Sequence, residues 1–71
     1  MPSDRDPKFG DVYRKGDRKR TIVHVYPNVA GCPSQVEFLE EKGGWPNGAF
    51  LVYVENFRRW AKGAVLVYEG K

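Results

Sequence analysis

Sulfur and imidazole are scarce in this chain, which has one cysteine (Cys32), one methionine and one histidine (His24) in 71 residues. A lone cysteine excludes an intramolecular disulfide and any metal site built on two thiolates, and it fits a reducing compartment. His24 has no cysteine or carboxylate at ligand spacing, so no metal is expected and the imidazole reads as structural rather than catalytic. Cys32 has no base near it in sequence and reads as a small loop thiol, unless the fold brings His24 to it. P-loop, dinucleotide and helical zinc motifs are all missing. Neither a cofactor nor an enzymatic activity is therefore expected. No apolar run approaches the roughly 20 residues that span a bilayer, and Met1 to Lys8 lacks the apolar core of a signal peptide. These absences predict a cytoplasmic protein without a membrane partner.

What the chain does have is a succession of short β-type runs. The segment Met1 to Lys8, with two prolines and four charges, predicts a flexible tail, and residues 9–71 a single small domain. Asp11 to Arg14 reads as a first strand, turned by Gly16-Asp17. Arg20 to Tyr26 (RTIVHVY) is the strongest strand, with Thr21, Val23 and Val25 expected on one face and Ile22, His24 and Tyr26 on the other. After a loop at Val29 to Pro33, Ser34 to Glu40 alternates Val36 and Phe38 inward, while Glu37 and Glu41 are expected to face water. Lys42 to Gly48 (KGGWPNG) reads as a loop that carries Trp45, and Ala49 to Tyr53 or Val54 as the next strand. Val54, Phe57 and Ala61 then recur at helical spacing, with Lys62 in the last turn and Gly63 as a cap, which predicts a short helix near residues 54–62. Ala64 to Tyr68 closes as a strand. The expected class is mainly β: a small, curved antiparallel sheet or an SH3-like, partly open barrel of four to five strands with one helix. The competing architecture is a helix packed on one face of such a sheet.

Charge and aromatics mark the candidate binding residues. Eight of the twelve Lys and Arg fall in two clusters: Arg14, Lys15, Arg18, Lys19 and Arg20 at a hairpin tip, and Arg58, Arg59 and Lys62 around Trp60 on the predicted helix. Long cations at a tip reach phosphates or acidic protein surfaces, and a cation beside an aromatic is a recurrent recognition pair. The bland reading is that the tip keeps the domain soluble and guards sheet edges, with Lys62 complementing the helix dipole. Tyr13, Tyr26, Trp45, Tyr53, Trp60 and Tyr68 outnumber what a core of this size holds, so one or two are expected to be partly exposed as candidate anchors for a partner, and Trp45 in its Gly/Pro loop reads equally as an anchor or as a lid over the core. The net charge of +3 is below that of dedicated nucleic-acid binders and leaves the partner class open.

Phe9-Gly10-Asp11-Val12-Tyr13, the charged turn, Arg20 to Tyr26, and Val54-Glu55-Asn56-Phe57 before a last apolar strand together resemble small β-rich, SH3-like proteins encoded by bacteriophages and prophages. The resemblance implies a role rather than a set of site residues: binding a machine of the bacterial host, such as RNA polymerase or a nuclease, and altering its activity. The expected function is thus a non-enzymatic regulator in the host cytoplasm that docks on a host protein complex through the basic hairpin and exposed aromatics. The alternatives are direct nucleic-acid binding by a small barrel, which requires the two basic clusters to converge in space, and a virion structural or assembly component.

Overall fold

The computed structural model of the protein describes residues 6–70. Five strands, β1 (Val12–Lys15), β2 (Arg18–Tyr26), β3 (Gln35–Lys42), β4 (Trp45–Tyr53) and β5 (Val65–Tyr68), form one sheet, with helix α1 (Val54–Ala61) between β4 and β5. The strand order is β4-β3-β2-β1-β5, and every neighbouring pair is antiparallel. The mainly β class with one helix is therefore what the chain adopts. β4 and β5 are the two edges and do not pair, so the sheet stays open instead of closing into a barrel, with α1 linking one edge to the other.

The turns follow from glycine. Gly16 takes φ +63° as the first central residue of the β1–β2 turn, while Gly43 and Gly44 take φ +61° and +86°, the doubly positive pattern of the tight turn favoured between twisted strands. Because Gly43-Gly44 completes the reversal in two residues, the loop expected over Lys42 to Gly48 does not form. Trp45 to Gly48 instead open β4, and a bulge opposite Glu40/Glu41 absorbs the additional residue. Pro46 is tolerated there because β4 is an edge strand, where a missing donor breaks no ladder.

A second bulge, between Ile22 and His24, overturns the simple alternation expected for β2. Ile22 pairs with Phe38 and Val25 with Val36 on the inner face, while His24 opposite Glu37 and Tyr26 opposite Gln35 turn outward. The two outward rings stack at 4.9 Å.

Tyr13, Ile22, Val36, Phe38, Phe57, Ala61 and Ala64 form the core, with Val52, Val54, Trp60 and Leu66 packed against it. Phe57 is the helix's central contact, its ring 5.1 Å from Tyr13 in an edge arrangement and 5.4 Å from Phe38. Burial of such a ring contributes about 1.5–3 kcal/mol. Among the described residues no helix lies on the opposite face of the sheet.

Residues 1–5 of the expected tail lie outside the described residues. Pro7 is buried, and the Lys8 amide donates to Asp11 Oδ2 at 2.8 Å. Asp11, fully buried, also accepts from the Gly70 amide at 2.7 Å and the Tyr13 hydroxyl at 3.3 Å, so one carboxylate holds both ends of the described chain to the sheet. No helix among the described residues is long and apolar enough to cross a membrane.

Candidate functional site

The cross-strand register sorts the ten candidate residues onto two faces and one end of the sheet. Tyr13 and Arg20 point inward under the helix, so Lys15 and Arg18, each two residues away, share that face. Arg14 pairs with Lys19 on the outer face. Arg20 is not free to recruit a partner. Its Nε meets Glu40 Oε2 at 2.8 Å, and its guanidinium lies 4.1 Å from the Trp60 ring centre and 4.4 Å from that of Phe38. Glu40 is buried and also accepts from the Asn47 amide at 2.7 Å. Burial pushes its carboxyl upward, but the hydrogen bonds from Arg20 and Asn47 and the positive fields of Arg20 and Arg18 outweigh that and hold it below the ordinary glutamate value.

Three further candidates have carboxylate partners: Lys19 with Glu41 at 3.2 Å, Arg58 with Asp6 at 3.4 Å, and Arg59 with Glu55 at 3.5 Å. The last two lie on the solvent side of α1, away from the hairpin.

The two basic clusters meet through Lys15. Its ammonium donates to the Trp60 carbonyl at 3.1 Å and sits 5.4 Å from the Trp60 ring, capping the carbonyl end of the helix where a cation is favoured. Gly63 does not cap by a left-handed turn. It leaves room for Lys15, since a Cβ there would stand 2.9 Å from Lys15 Cε. Convergence is partial: Lys15, Arg18 and Trp60 gather at the hairpin end, whereas Lys62 lines one open surface depression with Glu55, Arg58 and Arg59. Trp45, 77% exposed, flanks the same end, because the Gly43 amide donates to the Asp17 carbonyl at 2.8 Å and ties the two hairpin tips together.

Two features escaped the sequence reading. Glu40 continues the Val36–Phe38 alternation onto the buried face, and that spacing alone marks it as a carboxylate in need of a partner. Lys42, within the expected loop, is the β3 residue opposite Arg18. On the helix-free face, Val12, Thr21, Leu39 and Ala49 are successive cross-strand neighbours. Exposed Leu51 and Tyr53 lie beside them on β4. Arg14, Lys19 and Glu41 border that apolar row on one side, with Glu37 and His24 on the other.

Cys32 is exposed in a tight turn closed by the Val29–Cys32 bridge. Among the described residues no group of three His, Cys, Asp or Glu could hold a metal ion. No family model, curated protein or solved structure matches the chain.

Proposed function

We propose that the chain is a non-enzymatic regulator that binds a protein machine of a bacterial host, one engaged in transcription or nucleic-acid processing such as RNA polymerase, through the helix-free face of its sheet. The observation that carries protein binding is the arrangement of that face: a central apolar row from Val12 to Ala49, with Leu39 half exposed, bordered by side chains of both charges. An apolar centre with a mixed polar rim is the composition of a protein interface, whereas a nucleic acid calls for one continuous positive field. The carboxylate partners of Lys19, Arg20, Arg58 and Arg59 favour the same reading, because they break up the positive field over most of the surface. The class of machine rests on the resemblance to small phage-encoded proteins.

The test is retention of proteins from bacterial lysate by the tagged domain, with and without nuclease, beside a Leu39→Asp variant whose folding is checked by circular dichroism. A stoichiometric protein partner that survives nuclease and is lost with Leu39→Asp is expected. Retention of no protein, or the same retention by the variant, overturns the reading.

A further inference from the structure

The register places Lys15 opposite Arg18, Arg18 opposite Lys42, and Lys42 opposite Trp45. One transverse row therefore crosses four strands, on the same face as α1 and just past its carboxyl end, as three cations followed by an exposed indole. Strands spaced roughly 4.8 Å apart spread those cations over about 10 Å. Like charges directly opposite one another destabilise a sheet, so the row opposes folding rather than assisting it. Among the described residues no carboxylate lies within ion-pair distance of Lys15, Arg18 or Lys42. Glu40 and Glu41 are engaged by Arg20 and Lys19. Asp17, exposed at the first tip, is the remaining carboxylate of the two turns.

Guarding of sheet edges does not explain the row. Arg18 and Lys42 lie on interior strands, while β4 and β5, the edges where charges deter unwanted pairing, carry none. What does suit three cations in line with a flat, 77% exposed ring is a flexible polyanion that also carries aromatic faces.

We propose that the hairpin end of the sheet binds single-stranded nucleic acid, with Lys15, Arg18 and Lys42 on the phosphates and Trp45 as the platform on which a base stacks. Lys15 retains two of its three donors after capping the helix. The site lies across the sheet from the apolar face assigned to protein docking and does not depend on that assignment, so the two fail separately.

The experiment is fluorescence anisotropy of a labelled oligothymidylate of about a dozen nucleotides, titrated with the full chain, with duplex DNA of the same length and polyglutamate as comparison ligands. Three phosphate contacts predict a slope of about −2 in log affinity against log salt, hence roughly 15-fold weaker binding when salt rises four-fold. Trp45→Ala is expected to weaken binding roughly ten-fold and Trp45→Phe to restore most of it. Arg18→Gln and Lys42→Gln should each flatten the salt slope by about 0.7. The proposal is overturned by absence of binding at about 1 mM protein, by a Trp45→Ala effect within two-fold, by duplex bound as tightly as single strand, or by tighter binding of polyglutamate, which would assign the end to an acidic protein instead.

Discussion

The guanidinium of Arg20 and the carboxylate of Glu40 meet at 2.8 Å beneath the helix, with side chains 15% and 4% exposed. The arginine belongs to the hairpin's basic run in sequence, but in space it is part of the roof of the core, stacked between Trp60 and Phe38. Removing one partner leaves a desolvated charge, whereas replacing both by apolar groups of similar volume does not. Arg20→Ala is therefore expected to destabilise the domain by about 3 kcal/mol. Arg20→Met combined with Glu40→Leu should recover most of that loss. Urea unfolding at neutral pH checks both.

The same pair predicts how stability depends on pH. The folded Glu40 carboxyl titrates below its ordinary value of 4.5, so folding favours the ionised form. That contribution is present above the unfolded value and is lost as pH falls through the lower folded value. Glu40→Gln should unfold at lower urea than the parent at pH 7. The gap should begin to narrow below about pH 4.5, where the carboxylate of the unfolded chain takes up a proton, and level off once the folded carboxylate is also protonated at its lower value. A gap independent of pH down to about 3 would show that the carboxylate's charge contributes nothing.

Asp11 governs the joining of the chain ends. Asp11→Ala withdraws an acceptor from the Lys8 and Gly70 amides and the Tyr13 hydroxyl together, at an expected cost of about 3 kcal/mol. Gly70→Ala tests the same junction by steric means, since a Cβ there would run into the Phe9 carbonyl oxygen and stand 2.8 Å from the Asp11 nitrogen. Both variants should lower the thermal midpoint and speed amide exchange at Gly10 and Ile22, whose amides donate to the Ile22 and Asp11 carbonyls beside the junction.

Most of the fold was legible because short-range patterning decides it. Dense β-branched and apolar runs marked β2 and β5, the Val36–Phe38 alternation marked β3, and the change of period at Val54, Phe57 and Ala61 marked the helix face that is buried. The pattern failed where a bulge intervened. The Ile22/His24 bulge moved Val25 inward and His24 outward without a mark in local composition, whereas Trp45 entered β4 because Gly43-Gly44, a compositional hairpin signal, closes the turn in two residues and the Glu40/Glu41 bulge takes up the extra one. The candidate site was less legible, since charge density along the chain does not report pairing. Arg14 to Arg20 reads as one basic patch, yet alternation sends Arg14 and Lys19 to one face and Lys15, Arg18 and Arg20 to the other, and only register reveals Lys42 as the next member of the inner row.

That inner row should oppose folding in a measurable way. Lys42→Gln removes one like-charge opposition to Arg18 while leaving Trp45 and the turn glycines in place. A relief of roughly 0.5 kcal/mol is expected, corresponding to a rise of about 2–4 °C in the thermal midpoint at low salt. The rise should shrink as salt screens the charges. A midpoint that falls instead would mean that the lysine's aliphatic stem supports the fold.

The free edge of β4 sets the last expectation. From Gly43 to Val54 the chain carries no charge, and Ala49 to Tyr53 presents five exposed or half-exposed side chains along an edge with no guarding cation. Pro46 and the adjacent bulge blunt only the start of that edge. Such a segment pairs readily with another strand, so the purified domain should self-associate as its concentration rises, with light scattering as the readout. Leu51→Lys places a charge at the centre of the segment and opposite Glu37, its register partner. The new cross-strand pair adds about 0.2–1 kcal/mol, which offsets the lost apolar contact. The variant should therefore stay monodisperse with a thermal midpoint near the parent's. Equal self-association by variant and parent would show that neither this edge nor the part of the helix-free face around Leu51 is the sticky surface.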